Sequence, residues 1–233
     1  MSDPSDLLRQ LGRFRLIVFD CDGTLVDSQH NIIAAVERVW RSIDMQPPSA
    51  DLIRRQVGLS VEAAIARMAP DADAVVHRRL GEAFLALKAQ LQAEHRLEEP
   101  LYPGIRDLIH GLDHPELFLG IATGKGRAAL DYTLQKQQLA DRFHTLQTAD
   151  RCRGKPDPEM MLKAIDETGM QPHQSVMIGD TSFDMEMARA AGATAVGVAW
   201  GYHQAEELRQ AGAHAVIDHP SQLTGWLSRL SAA

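Results

Sequence analysis

Cysteine is almost missing from this chain: Cys21 and Cys152 are the only two in 233 residues. Two thiols at that separation build no disulfide framework and match no metal-binding spacing. No clustered Lys/Arg tract occurs and the formal net charge is −7, which argues against nucleic acid and against an anionic membrane surface as partners, while leaving room for a local basic pocket. No segment approaches the length needed to span a bilayer. Residues 1–15 mix Asp3, Asp6, Arg9, Arg13 and Arg15 with few apolar positions, so they lack the continuous apolar run of a secretory signal. A soluble cytoplasmic protein is expected. Internal repeats and low-complexity tracts are absent too. What is present is an ordinary globular composition, 45% hydrophobic and 24% charged, in a chain long enough for one large domain or two small ones.

Apolar runs at residues 16–19, 117–122, 175–178 and 193–198 read as parallel strands, with weaker ones at 144–147 and 215–217. Helical patterns at 126–138, 158–168, 182–191 and 220–230 separate or follow them. Strands alternating with helices predict an α/β fold, a Rossmann-like parallel sheet covered on both faces. The interval between the first two strands is different. It carries helical periodicity only, with Ile32, Ile33, Val36, Val39 and Trp40 on one face and Leu80, Phe84, Leu87 and Leu91 on another. An inserted α-helical cap domain over residues 29–98 is predicted, with a core domain made of residues 1–28 and 99–233. The insertion returns through Pro100, Pro103 and Gly104, which stop a helix and stiffen the connection. Because it leaves the core directly after an acidic motif, it is placed to cover that motif as a lid.

That motif is Asp20-Cys21-Asp22-Gly23-Thr24, directly behind the first strand. In an open α/β sheet ligands bind outside the carboxyl ends of the strands. Paired carboxylates there either hold a cation or divide nucleophilic and acid–base work. Cys21 lies between the two acids, where strand alternation turns it away from them, so it reads as filler. The second strand ends at Thr123-Gly124-Lys125, a hydroxyl followed by backbone amides at a helix N-terminus, where anions are favoured. Lys155 stands in a proline-bounded loop, Gly154-Lys155-Pro156-Asp157-Pro158, as the best-placed cation for a phosphoryl site. The strand at 175–178 runs into Gly179-Asp180 and then Asp184. N-capping explains one of these acids. Delivery of carboxylates by two strands to one sheet edge calls for a cation or a bound electrophile to offset their repulsion, and donors made only of oxygen favour Mg²⁺ over Zn²⁺.

Two rival motifs fail on context. Gly124-x-Gly126-x-x-Ala129 follows a strand as a dinucleotide fingerprint does, but Asp141 precedes its candidate strand instead of ending it. His110 and His114 have zinc-like spacing, yet Gly111 and Pro115 interrupt the helix and no Glu follows His110.

The four clusters, in this order and with a helical insertion after the first, resemble the haloacid dehalogenase superfamily of phosphatases, phosphoglycolate phosphatases in particular. The resemblance spans nearly the whole chain. It implies a hydrolase in which Asp20 attacks phosphorus to form an aspartyl-phosphate, while Asp22 protonates the leaving alcohol and then deprotonates the attacking water. It implies Mg²⁺ held by the Asp20 carboxylate, the Asp22 backbone carbonyl and the Asp180 carboxylate, with Asp184 orienting that shell. Thr123 and the Gly124 amide would bind phosphoryl oxygens and Lys155 would offset their charge. Dehalogenases of this fold lack the second acid, so Asp22 argues against carbon–halogen cleavage. The substrate implied is a small phosphorylated metabolite, phosphoglycolate-like. A sugar-phosphate mutase of the β-phosphoglucomutase kind, an inorganic pyrophosphatase and a non-catalytic phospholigand-binding protein are the alternatives. Gly124 departs from the Asn that many such phosphatases carry there. Arg54 and Arg55, near Gly58 and Ser60 in a loop between cap helices, are candidates for holding a substrate anion.

Overall fold

The computed structural model describes residues 4–232; the reading above for residues 1–3 falls outside them. Six parallel strands form one sheet in the order β3-β2-β1-β4-β5-β6. They are β1 (Leu16–Phe19), β2 (Phe118–Thr123), β3 (Thr145–Thr148), β4 (Ser175–Gly179), β5 (Thr194–Val198) and β6 (Ala215–Ile217). All four residues of β1 are buried, because a central parallel strand is covered on both faces and so reads as an unbroken apolar run. Alternation sends Ile17 and Phe19 to one face and Leu16 and Val18 to the other.

On the first face Ile17 and Phe19 meet helices α1 (Pro4–Leu11), α6 (Ile105–Gly111), α7 (Arg127–Lys136) and α11 (Leu223–Ala232). On the second, Leu16 and Val18 meet α8 (Glu159–Thr168), α9 (Ser182–Ala190) and α10 (Ala205–Gln210), where Met160, Met161, Met185 and Met187 fill the interior. Helices α1 and α10 are not evident from periodicity. Both are short, and helices of that length depend on tertiary partners for stability; α1 packs on α11 and α10 on α9 and β5. The pattern at 220–230 divides into a tight turn at Pro220–Gln222 followed by α11. No helix among the described residues is long and apolar enough to cross a membrane.

Between β1 and α6 lie four helices, α2 (Gln29–Arg41), α3 (Ala50–Arg54), α4 (Val61–Met68) and α5 (Ala74–Ala93). Each of the last three begins at a residue that caps it: Ser49 accepts from the Leu52 amide, Ser60 from Ala63, and Asp73 from Val75 and Val76. Their apolar faces close on a cluster of their own, including Val36, Trp40, Ile53, Ile65 and Leu80. The outgoing and returning connections run side by side, with the Asp27 amide donating to Pro100 O at 2.9 Å and the Tyr102 amide to Leu25 O at 3.0 Å. That pairing seats the helices above the carboxyl end of β1.

Strand register decides what meets there. Phe19 lies opposite Ile121 of β2 and Ile178 of β4, so the residues that follow the three strands emerge at one level. From β1 the chain adds β2 and β3 outward on one side, then crosses to β4 on the other. The crevice at that reversal is where such sheets bind ligands.

Candidate active site

Asp20, Asp180 and Asp184 offer carboxylate oxygens that all lie within 4.8 Å of one another, and all three residues are buried. Lys155 Nζ stands 2.9 Å from Asp20 Oδ1 and 2.5 Å from Asp184 Oδ1. The sequence leaves this lysine in a loop; the structure removes it from solvent, with 3% of the residue exposed. Thr181 caps α9 and, with Asp184, forms a reciprocal box in which the Thr181 amide donates to Asp184 Oδ2 at 3.0 Å. Asp184 therefore serves the helix with one oxygen and the lysine with the other. Asp180 is held by the Thr24 hydroxyl at 2.8 Å and the Tyr202 amide at 2.9 Å. Gly23, at φ +83, is required here, since a Cβ would stand 2.3 Å from Asp180 Oδ2.

The electrostatics follow from burial. Loss of hydration pushes the Asp20 carboxyl up from 3.8 to about 7; Lys155 resists the rise and Asp184 adds to it. Burial, then Asp20 and Asp184, drive Asp180 well above the carboxylate range. Lys155 is pulled down by burial, but Asp184 and Asp20 outweigh that and hold it above the ordinary lysine range. Asp20 Oδ2 is buried and has no hydrogen-bond partner. Three crowded carboxylates, one ammonium group and one orphaned oxygen fit a divalent cation, which would supply both the missing charge and the missing partner.

Asp22 belongs to a second network that the sequence did not reveal. Its Oδ1 receives Lys125 Nζ at 2.6 Å and the Ser28 hydroxyl. Lys125 also reaches Glu99 at 3.1 Å, and Glu99 binds Lys88 at 3.3 Å and the Thr133 hydroxyl at 2.6 Å. Burial would raise Glu99, but Lys125 and Lys88 outweigh it and hold the carboxyl at about 2. Lys125 sits above its ordinary range, since Asp22 and Glu99 overcome the effect of burial. The only signal for this lysine was its place beside Thr123; Glu99, in the returning connection, carried none.

Thr123 is buried at the end of β2, where its hydroxyl accepts from the Lys125 amide at 3.2 Å. At Gly124 a Cβ would come within 2.3 Å of Leu59 O and 2.7 Å of Gly58 O. The departure from Asn thus has a steric reason: the loop between α3 and α4 rests on this position. A Cβ at Gly58 would lie 3.7 Å from Asp20 Oδ2, so the same loop roofs the acids. Arg54 is engaged by Gln29 at 3.1 Å and Asp51 at 2.6 Å, and Arg55 by Glu207 of α10 at 2.5 Å. Neither arginine forms an ion pair with the three acids among the described residues. Cys21 is fully buried, and burial pushes its thiol far up, as suits an inert filler.

These features define a class, an α/β enzyme with a helical cover and an acid-rich centre at the switch point of a doubly wound sheet. The family model described as haloacid dehalogenase-like hydrolase matches residues 17–198, and the chain belongs to that family. It is 31% identical over 207 residues to a phosphoglycolate phosphatase of Pseudomonas putida, covering 88% of this chain and 76% of that protein. It is 30% identical over 220 residues to an N-acetylmuramic acid 6-phosphate phosphatase of Pseudomonas aeruginosa, covering 93% and 96%. The crystal structure of a hydrolase from Pseudomonas syringae superposes with a TM-score of 0.81 at 29% identity, covering 93% of this chain and 99% of that one. Within the family this chain is a phosphoric monoester hydrolase. Phosphatases of the family generally use a divalent metal, and among the described residues the buried acids form a group that could bind one.

Proposed function

We propose that the chain is a Mg²⁺-dependent phosphatase that hydrolyses a small phosphorylated metabolite through an aspartyl-phosphate. One observation carries the reading: Asp20 shares a buried centre with Asp180, Asp184 and Lys155, and its Oδ2 is left without a partner. Asp20 is the nucleophile. It attacks phosphorus as the bond to the leaving alcohol breaks, and Asp22, on the same loop, gives the alcohol its proton. Asp22 then takes a proton from the water that cleaves the aspartyl-phosphate and releases inorganic phosphate. Lys125 and Ser28 hold the Asp22 carboxylate in one orientation for both tasks. Lys155 offsets charge beside Asp20, and Thr123 with the Gly124 amide receives phosphoryl oxygens.

Mg²⁺ would be held by Asp20, Asp180 and the Asp22 carbonyl, with Asp184 behind them, and would supply positive charge against the phosphoryl oxygens. Oxygen-only donors and buried carboxylates support that choice of ion. The helices of residues 29–98 act as the cap domain over a core of residues 1–28 and 99–233. The compounds for which two relatives are named, phosphoglycolate and N-acetylmuramic acid 6-phosphate, share a phosphomonoester and a carboxylate, and the phosphomonoester is the group that supports the reading for this chain. Two free cysteines, one of them buried, fit a reducing cytoplasm.

The test is release of inorganic phosphate from phosphomonoesters with Mg²⁺ present. Asp20→Asn is expected to lower turnover by about a thousandfold or more, as losing a nucleophile does. Equal turnover by that variant refutes the assignment, and isomerised ester without free phosphate would make the protein a mutase.

A further inference from the structure

Beyond the acid centre, Asp22, Gly124 and Lys125 close one end of a cavity of about 130 Å³ that extends between the core and the cap. The remaining wall belongs mainly to the cap and is hydrocarbon: Ile32, Val36, Trp40, Ile65, Met68 and Phe84. Two lysines, Lys88 and Lys125, also line it, and both are already committed. Lys125 pairs with Asp22 and Glu99, and Lys88 with Glu99. Two cations thus face two carboxylates, and no arginine or histidine lies among the described wall residues. The one neutral polar side chain, Gln56, donates its amide nitrogen to Leu52 O at 3.2 Å and leaves its buried Oε1 without a partner, an acceptor that offers nothing to an anion.

We propose that the alcohol released from the phosphomonoester is apolar and occupies this cavity, so that the preferred substrate is the monoester of a compact hydrophobic alcohol. The inference rests on the phosphatase reading, because it is Asp22, as proton donor to the leaving oxygen, that joins the cavity to the reaction. Position, size and charge support it. The cavity begins at Asp22, where the leaving oxygen must lie. An apolar cavity of about 150 Å³ holds benzene, so this one accepts a body of roughly six carbons. A substrate with a second anion, such as a carboxylate beside its phosphate, would bring that charge against a wall that is mainly hydrocarbon and whose two lysines are both engaged by Glu99, and burial of an unpaired charge is strongly disfavoured.

The experiment measures kcat/KM with Mg²⁺ along methyl, ethyl, propyl and butyl phosphate, with benzyl phosphate and phosphoglycolate as end points. Burial of each methylene is expected to raise kcat/KM by about fourfold, and benzyl phosphate is expected to exceed phosphoglycolate by at least about tenfold on the same basis. Benzyl alcohol should inhibit competitively where glycolate does not, a comparison made on the unaltered protein. Ala64→Phe, which places a ring in the cavity wall, is expected to flatten the chain-length series, with folding checked by Tm. A flat or falling series led by phosphoglycolate overturns the proposal while leaving the phosphatase reading intact. Absence of phosphate release from every ester overturns both. An unchanged series in folded Ala64→Phe shows that the cavity is not where the alcohol sits and overturns the proposal too.

Discussion

Replacing Asp20 by a neutral side chain should stabilise the metal-free protein. Burial, partly resisted by Lys155 and reinforced by Asp184, holds the Asp20 carboxyl at about 7 against an ordinary 3.8. The folded state therefore binds this proton more tightly than the unfolded chain does, and ionisation of Asp20 weakens the fold. The sign follows: the penalty is complete above about pH 7, shrinks as pH falls, and vanishes below the unfolded value. A shift of about three units corresponds to roughly 4 kcal/mol at pH 8, of which somewhat under half remains at about pH 5. Asn at this position carries no charge and avoids the penalty. Asp20→Asn in EDTA is thus expected to exceed the parent in stability by roughly 4 kcal/mol at pH 8, with the gap narrowing by about 2–3 kcal/mol at pH 5. For a chain of this length that narrowing is about 5–10 °C in Tm.

Comparison with the variant is essential, because His203 and His214, both pushed down by burial, oppose the trend in the same pH window. Glu99 does not interfere, since its carboxyl moves between about 4.5 and 2 and its contribution is lost only at lower pH. Scanning calorimetry on both proteins, with and without Mg²⁺, gives the answer. Mg²⁺ at about a hundredfold over its Kd should raise the parent by about 2.7 kcal/mol at pH 8 and the variant by less. A variant less stable than the parent in EDTA at pH 8, or a parent indifferent to Mg²⁺, would refute the argument that three uncompensated carboxylates strain this centre.

Three further outcomes are expected. Glu99→Gln leaves Lys88 and Lys125 buried with one carboxylate fewer and should cost about 3–5 kcal/mol in urea denaturation; a loss below about 1 kcal/mol would remove Glu99 from its structural role. Gly124→Ala drives a Cβ toward the Leu59 carbonyl, so the roofing loop must retreat, with about 1–3 kcal/mol lost and kcat/KM reduced; wild-type kinetics and Tm together would show that the loop does not rest there. Arg55→Ala breaks the contact with Glu207, but the arginine side chain is 52% exposed, and stability should change by under about 1 kcal/mol. A larger loss in denaturation would make that pair a structural tie between cap and core.

The strands, the helical insertion and the acidic clusters are legible in the linear chain for a definite reason. Buried parallel strands leave uninterrupted apolar runs, and residues just beyond them inherit a fixed place at the sheet edge, so Asp20, Thr123 and Asp180 declare themselves by what precedes them. The short helices α1 and α10 leave no such trace, because their stability is borrowed from α11, α9 and β5. Lys155 was legible as a candidate cation but not as a buried one. Its burial comes from the loop folding back on α9 across 29 residues of chain.

Local pattern was enough to establish a parallel α/β sheet with acids at its carboxyl edge, since strand period and turn chemistry act over a few residues. It could not disclose the partnership of Lys125 with Asp22, 103 residues apart, or with Glu99, 26 residues apart, nor the commitment of Lys88 to Glu99. Charges pair through space at distances of a few ångströms, and packing alone brings these groups together and empties the cavity beside them of free cations.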